Sequence, residues 1–259
     1  MDHIMKVLAA IPARRGSTRL TEKPLREIGT KSLIQRVWEQ ARECPDIDDL
    51  YVATDDQEIF DLSESFGAKA IMTSSEIPSG SARVAAVSHL LGDKWDIILN
   101  VQGDMPFINP LVISQLIGFF KENFEKFSMV TIAIPIYEEE EFIRPSSVKV
   151  VVSEESRALY FSRAAIPHSR DGDQWNVIEE SKKRIYGLKH IGLYAFKNDI
   201  LPVLEEQKSS ELESVEKLEQ LKVLEKGHPI GVCIVDPALM ERSIEIDTEE
   251  DLKLARSLV

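Results

Sequence analysis

Val7-Leu8-Ala9-Ala10-Ile11 is apolar at every position and runs into Pro12-Ala13-Arg14-Arg15-Gly16-Ser17-Thr18-Arg19-Leu20, with Lys23-Pro24-Leu25 just behind. A strand with no polar alternation is covered on both faces, which is the pattern of a parallel sheet sandwiched between helices. The cations begin where the strand stops. Ligands of open α/β sheets bind beyond the carboxyl ends of the strands, and Arg forks with backbone N–H groups suit phosphate oxygens, so the loop reads as an anion holder. Neither Gly-x-x-x-x-Gly-Lys nor Gly-x-Gly-x-x-Gly occurs in it, which sets aside the P-loop and the dinucleotide fingerprint.

Strand and helix patterns then alternate. Leu33, Ile34, Val37, Trp38 and Ala41 recur at helical spacing up to Pro45. Residues 50–54 read as a strand ending in Asp55-Asp56, a helix passes through Ile59, Phe60 and Phe66, and 68–72 is a third strand. Ser79-Gly80-Ser81-Ala82-Arg83 leads into a helix carrying Val84, Val87, Leu90 and Leu91; Ser-Gly there can cap the helix, and its terminal amides with Arg83 can hold a base or phosphate. The apolar run from Asp96 ends in Gln102-Gly103-Asp104, which carries a carboxylate to the same edge as the Arg loop. Residues 111–127 predict a helix and 129–134 a strand, while 148–152 and 158–163 flank a polar turn and predict a hairpin. Residues 171–183 are polar and read as a loop, and 214–226 read as one helix ended by Gly227, with Val215, Leu218, Leu221 and Leu224 on one face. Asp247 or Thr248 is the candidate N-cap of a last helix. The expected fold is α/β, a Rossmann-like doubly wound, mostly parallel sheet in one domain over 1–259, with an antiparallel insert at about 130–196.

Composition narrows the partners. A formal net charge of -13 over 259 residues argues against a nucleic-acid surface, which needs a basic face; a basic loop on an acidic chain fits a small anionic ligand. Cys44 and Cys233 are too few for a disulfide framework and lack metal-ligand spacing. No apolar run approaches the ~18 residues that span a bilayer, and residues 1–6 lack a signal-peptide apolar region. No membrane partner and a cytoplasmic location are expected.

Ile11-Pro12-Ala13-Arg14, Ser17-Thr18-Arg19-Leu20 and Lys23-Pro24-Leu25 together resemble the opening signature of the 3-deoxy-manno-octulosonate (Kdo) cytidylyltransferases, or CMP-Kdo synthetases. Further motifs follow in family order. Asn100-Val101-Gln102-Gly103-Asp104-Met105-Pro106 is similar to the family's metal-binding string, His190-Ile191-Gly192-Leu193-Tyr194 to its His-x-Gly-x-Tyr segment, Leu218-Glu219-Gln220-Leu221-Lys222 to its Leu-Glu-Gln-Leu-Arg/Lys motif, and Ile246-Asp247-Thr248-Glu249-Glu250-Asp251-Leu252 to its Val-Asp-Thr-x-Glu-Asp-Leu. In the loop where the family reads His-x-Ser-Gly-Thr-Asp/Glu-Arg, this chain keeps Ser79, Gly80 and Arg83 but has Ile77, Ser81 and Ala82 at the other positions.

The resemblance implies a nucleotide-diphospho-sugar transferase type of fold and transfer of CMP from CTP to a 2-keto-3-deoxy sugar acid, with release of diphosphate. It assigns Arg14, Ser17, Arg19, Lys23, Ser79, Gly80 and Arg83 to CTP. Gln102, Arg163, His190, Tyr194, Glu219 and Gln220 fall to the sugar acid. Asp104 and Asp247 would hold Mg²⁺, the cation that binds through one or two carboxylates plus substrate phosphates, and they act with Lys23 and Arg14 in catalysis. A homodimer built around the antiparallel insert is implied as well. Two other readings stay open: the same reaction on a variant sugar acid such as 8-amino-3,8-dideoxy-manno-octulosonate, or with altered base preference, and a nucleotide-binding regulator that has lost the chemistry.

Overall fold

The computed structural model describes residues 4–16, 20–92, 94–170 and 185–259. In chain order it contains β1 (Val7–Ala13), a short hairpin of β2 (Glu27–Ile28) and β3 (Lys31–Ser32), α1 (Leu33–Arg42), β4 (Asp49–Thr54), α2 (Gln57–Ser65), β5 (Lys69–Met72), α3 (Gly80–Leu90), β6 (Ile97–Asn100) and α4 (Pro110–Glu122). Then come β7 (Met129–Ile136), α5 (Glu139–Ile143), β8 (Lys149–Val152), β9 (Ala158–Ser162), β10 (Gly187–Phe196), α6 (Leu201–Glu205), α7 (Glu211–Glu216), α8 (Gln220–Glu225), β11 (Ile230–Ile234) and α9 (Glu249–Arg256).

Among the described residues one mixed sheet runs in the order β11-β7-β10-β6-β1-β4-β5. β6, β1, β4 and β5 are parallel neighbours, so the carboxyl ends of these strands share one edge. β10 lies antiparallel between β6 and β7, and β8 with β9 forms an antiparallel hairpin that hangs from β10. Of the expected insert at 130–196, then, β7 and β10 belong to the main sheet and only the hairpin is appended. The unalternated apolar run of β1 has its physical cause here: Val7, Ala9 and Ile11 face a core shared with α1, α2, α4 and α9, while Leu8 and Ala10 face one shared with α3, α6 and α8. Each long helix starts on a side-chain cap, Ser32 for α1, Asp56 for α2, Ser79 for α3, Asn109 for α4 and Thr248 for α9.

Two helices end where periodicity did not predict. The helix expected over 111–127 stops at Glu122, because the Asn123 side chain donates to the Phe119 carbonyl (2.9 Å) and its backbone N–H to Phe119 and Phe120. The single helix expected over 214–226 is two short ones, broken at Lys217, whose backbone is left-handed (φ 56, ψ 47). Arg163 ties down the break: its Nε donates to the Glu216 carbonyl at 2.8 Å and a terminal nitrogen reaches the Lys217 carbonyl at 3.5 Å. Val215, expected on the buried face, is 76% exposed as a result.

The last helix positions an acid. Thr248, rather than Asp247, is its N-cap: the Thr248 hydroxyl accepts from Asp251 N–H, and the Asp251 carboxylate accepts from the backbone N–H groups of Asp247 and Thr248. The cap of α9 is thus made by the Thr248 side chain and not by that of Asp247. Thr248→Ala should cost about 1 kcal/mol, visible as a lowered midpoint in urea unfolding followed by circular dichroism.

Candidate active site

A cleft of about 290 Å³ opens at the shared edge of the parallel strands, walled by Pro12, Ala13 and Arg14 on one side and by Gln102, Gly103 and Asp104 on the other, with Lys23, Gly80 and Asp247 closing it. Close backbone approach shapes the floor. A Cβ on Gly103 would lie 2.7 Å from the Pro12 carbonyl oxygen, and one on Gly80 would meet the Pro12 ring at 3.2 Å. Any larger residue at 103 pushes the ends of β1 and β6 apart, which explains glycine beside an acid that must stay near the first loop.

Two carboxylates converge in this cleft on one ammonium. Lys23 Nζ donates to Asp104 Oδ2 at 3.0 Å and to Asp247 Oδ1 at 2.9 Å. Burial pushes the Lys23 ammonium down, but the charge of Asp104 and the hydrogen bond and charge of Asp247 outweigh it, so its pKa is raised. Backbone pairing brings the acids together: Ile246 N–H donates to the Asp104 carbonyl at 2.9 Å, which lays the segment before α9 against the turn after β6. Among the described residues no group of three or more acid, histidine or cysteine side chains converges in metal-binding fashion. The pair offers two hard oxygen donors and leaves further coordination positions to a ligand's own oxygens, a donor set that suits a divalent cation arriving with a phosphate.

The other expected residues fall into groups. Arg14 is exposed at the cleft, its guanidinium 3.5 Å from the Pro78 carbonyl, whereas Arg15 turns away to Glu22, Asp56 and Glu58. Ser17 and Arg19 lie outside the described residues. Ser79 caps α3, accepting from Ala82 N–H at 3.1 Å. Arg83 is not on the cleft wall: it is buried and donates to Asp55 at 2.8 Å and to the Thr73 hydroxyl, locking α3 to the ends of β4 and β5. Its burial lowers the guanidinium pKa against the opposing pull of Asp55.

On the far side of Gln102 the chain assembles a polar group of a different kind. Glu219 and Gln220, carried inward by the break at Lys217, meet α3 and β10: Ser81 donates to Glu219 Oε1 at 2.8 Å and the Tyr194 hydroxyl donates to Gln220 Oε1 at 3.2 Å. Burial pushes the Glu219 carboxyl up, opposed by its bond to Ser81. His190 is buried beside them, its ring 5.6 Å from that of Tyr194, with Nε2 3.0 Å from the Thr131 hydroxyl. The Arg163 side chain is spent on backbone carbonyls, those of Glu216 and Lys217 at the α7–α8 break and that of Pro145 at 3.2 Å, so it supports the segment that carries Glu219. Two residues outside the expected set take part. Ser81 is one. The other is Glu245, which follows from extended-chain geometry, since alternate residues share a side and Asp247 is two positions on. Its side chain reaches solvent, yet desolvation by the surrounding wall and then the like charge of Asp104 and Asp247 push its carboxyl up to about 7.

Comparison with known proteins decides the family. A family model described as cytidylyltransferase matches residues 8–234. The chain belongs to the cytidylyltransferase family. It is 41% identical, over 98% of both chains, to the 8-amino-3,8-dideoxy-manno-octulosonate cytidylyltransferase of Shewanella piezotolerans. To the 3-deoxy-manno-octulosonate cytidylyltransferase of Thermodesulfovibrio yellowstonii it is 42% identical over 97% of both. Among solved structures it superposes on CMP:2-keto-3-deoxy-manno-octonic acid synthetase complexed with CTP, with a TM-score of 0.85 and 35% identity over 98% of both chains. The expected nucleotide-sugar transferase fold is the fold observed, and this cytidylyltransferase is a nucleotidyltransferase enzyme.

The histidine offers a direct check on the site's electrostatics. Burial holds the His190 imidazole neutral by pushing its pKa down to about 3 from an ordinary 6.5. An NMR titration of its ring proton should therefore show no step between about pH 8 and about pH 4. Because the unfolded chain takes up that proton near 6.5 and the folded chain does not, His190 erodes stability as pH falls from 6.5 toward 3.

Proposed function

We propose that this cytidylyltransferase transfers CMP from CTP to the anomeric oxygen of 3-deoxy-manno-octulosonate, releasing diphosphate and supplying CMP-Kdo for lipopolysaccharide biosynthesis. The observation that carries the reading is the convergence of Asp104 and Asp247 on Lys23, beside Arg14, at the strand edge. Arg14, Arg19 and Lys23 neutralise the triphosphate, Ser17 binds CTP through its hydroxyl, and Ser79 and Gly80 at the start of α3 wall the nucleotide. Arg83 supports that wall from behind through Asp55 and Thr73. Gln102, Glu219 and Gln220 receive the sugar acid, with His190, Tyr194 and Arg163 shaping their side of the site.

In chemical terms, the sugar's C2 hydroxyl attacks the α-phosphorus in line and diphosphate leaves from the opposite side. Placement and charge neutralisation supply the catalysis, and no side chain needs to form a covalent bond. Asp104 and Asp247 would hold a divalent cation, Mg²⁺ in our reading, whose charge stabilises the phosphates. We assign a homodimer to the hairpin face, where β9 is a sheet edge and Leu159 is 57% exposed. We place the enzyme in the cytoplasm, where CTP is made; among the described residues no helix is long and apolar enough to cross a membrane. A second reading, the same transfer to the 8-amino sugar acid, has the support of the Shewanella relative at 41% identity.

Diphosphate release, measured with CTP and UTP against Kdo, its 8-amino analogue and unrelated 2-keto acids, tests both readings. Turnover with CTP and Kdo is the expected result; preference for the amino sugar selects the second reading, and silence with every acid despite CTP binding rejects both. Asp104→Asn removes charge at little change in volume and should lower kcat at least about a hundredfold with the fold intact. Near-normal turnover at saturating Mg²⁺ would refute its role.

A further inference from the structure

Four elements meet on the sugar-acid side of the site, and their polar atoms are joined in two short chains. In the first, Asn100 Nδ2 at the end of β6 donates to Ser81 Oγ at 3.1 Å, and Ser81 Oγ donates to Glu219 Oε1 at 2.8 Å. A hydroxyl has a single proton. Ser81 Oγ accepts from Asn100 on one of its lone pairs, and its one O–H donates to Glu219. In the second chain, the Tyr194 hydroxyl donates to Gln220 Oε1 at 3.2 Å, so the carbonyl end of the amide is used and the Nε2 donor end is left over.

That remaining donor is orphaned. Gln220 is 1% exposed, and its Nε2 has no hydrogen-bond partner among the described residues. Leaving a buried donor unpaired costs stability that a polar ligand atom would restore. The chains are also in register: Asn100 and Tyr194 are direct partners on the adjacent strands β6 and β10, so both are set by one piece of sheet. Ser81 and Asn100 are themselves buried, at 2% and 0% exposure, where they support Glu219 rather than stand in the open cleft.

We propose that Ser81, backed by Asn100, and Tyr194 are positioning residues that fix Glu219 as a hydrogen-bond acceptor and Gln220 as a donor, so that the pair reads neighbouring hydroxyls of a polyhydroxylated sugar acid. One sugar hydroxyl donates a hydrogen bond to Glu219, and an adjacent oxygen accepts one from Gln220 Nε2. Ser79, whose hydroxyl also bonds Glu219, holds the carboxylate from the same helix start. The inference rests on the proposed reaction, in which Glu219 and Gln220 face the sugar rather than the nucleotide.

Steady-state kinetics with each substrate varied separately tests it. Ser81→Ala should raise KM for the sugar acid about tenfold, with kcat and KM for CTP within about twofold, and Ser81→Thr, which keeps the hydroxyl, should restore the wild-type value. Tyr194→Phe should raise the sugar KM in the same way. A sugar-acid analogue lacking one of the paired hydroxyls should lose affinity with the wild type and lose no more with Ser81→Ala. An unchanged sugar KM in Ser81→Ala, or a parallel rise in KM for CTP that marks a loosened α3, would overturn the proposal. CTP titration into Ser81→Ala shows whether the fold is intact. Wild-type enzyme inactive with every 2-keto-3-deoxy sugar acid would remove the underlying reaction and this proposal with it, whereas active wild type with an indifferent Ser81→Ala removes this proposal alone.

Discussion

Asp104 and Asp247 come from distant parts of the chain and carry the same charge into one partly buried cleft, an arrangement that holds only with a cation between them. In this structure Lys23 is that cation, at 3.0 and 2.9 Å. Burial works against its charge and the two acids win, so the Lys23 ammonium is held charged between them. Much of the surrounding architecture holds this contact in register. Thr248, one residue beyond Asp247, caps α9; Ile246 pairs with the Asp104 backbone. Arg26 to Glu249 at 2.7 Å and Arg256 to the Glu27 carbonyl at 2.9 Å dock α9 on the hairpin that follows Lys23. Gly103 permits the close approach of the β6 turn to Pro12.

The opposite side of the site works by different physics. Charge neutralisation matters where phosphates sit, but recognition of a neutral hydroxyl needs a fixed donor or acceptor with no competing water. The break at Lys217 turns Glu219 and Gln220 inward, and Arg163 holds the break open through backbone carbonyls. His190, neutral by burial, contributes a ring face to Tyr194 rather than a charge. A cytidylyltransferase built this way separates an ionic half from a hydrogen-bonding half, and Gln102 lies between them.

Most of the parallel half was legible in the chain because each strand and helix carries its own period. The unbroken apolar run of β1, the helical spacing of Leu33 to Ala41 and the cap at Ser79 all survive intact in the structure. Local pattern failed where a distant group decides. Nothing in residues 214–226 announces that Arg163 will satisfy the carbonyls of Glu216 and Lys217 and make a left-handed break cheaper than a continuous helix. Periodicity likewise cannot say that β10 enters the main sheet antiparallel between β6 and β7, because a buried strand looks apolar whichever way it runs.

By itself the sequence determined an α/β sheet ending in a basic loop and acidic turns, and motifs in the order of a nucleotidyltransferase family, since these depend on residue type and short spacing. Only the tertiary structure decided which side chains face which. Arg83 looked equal to Arg14 as a cation for phosphate, yet it is buried against Asp55 and Thr73 while Arg14 stays at the cleft. Ser81 looked like a departure from a motif and proved to be hydrogen-bonded to Glu219. Such pairings join residues far apart in the chain, and their direction follows from which hydrogen-bonding groups are still unsatisfied once the sheet has closed.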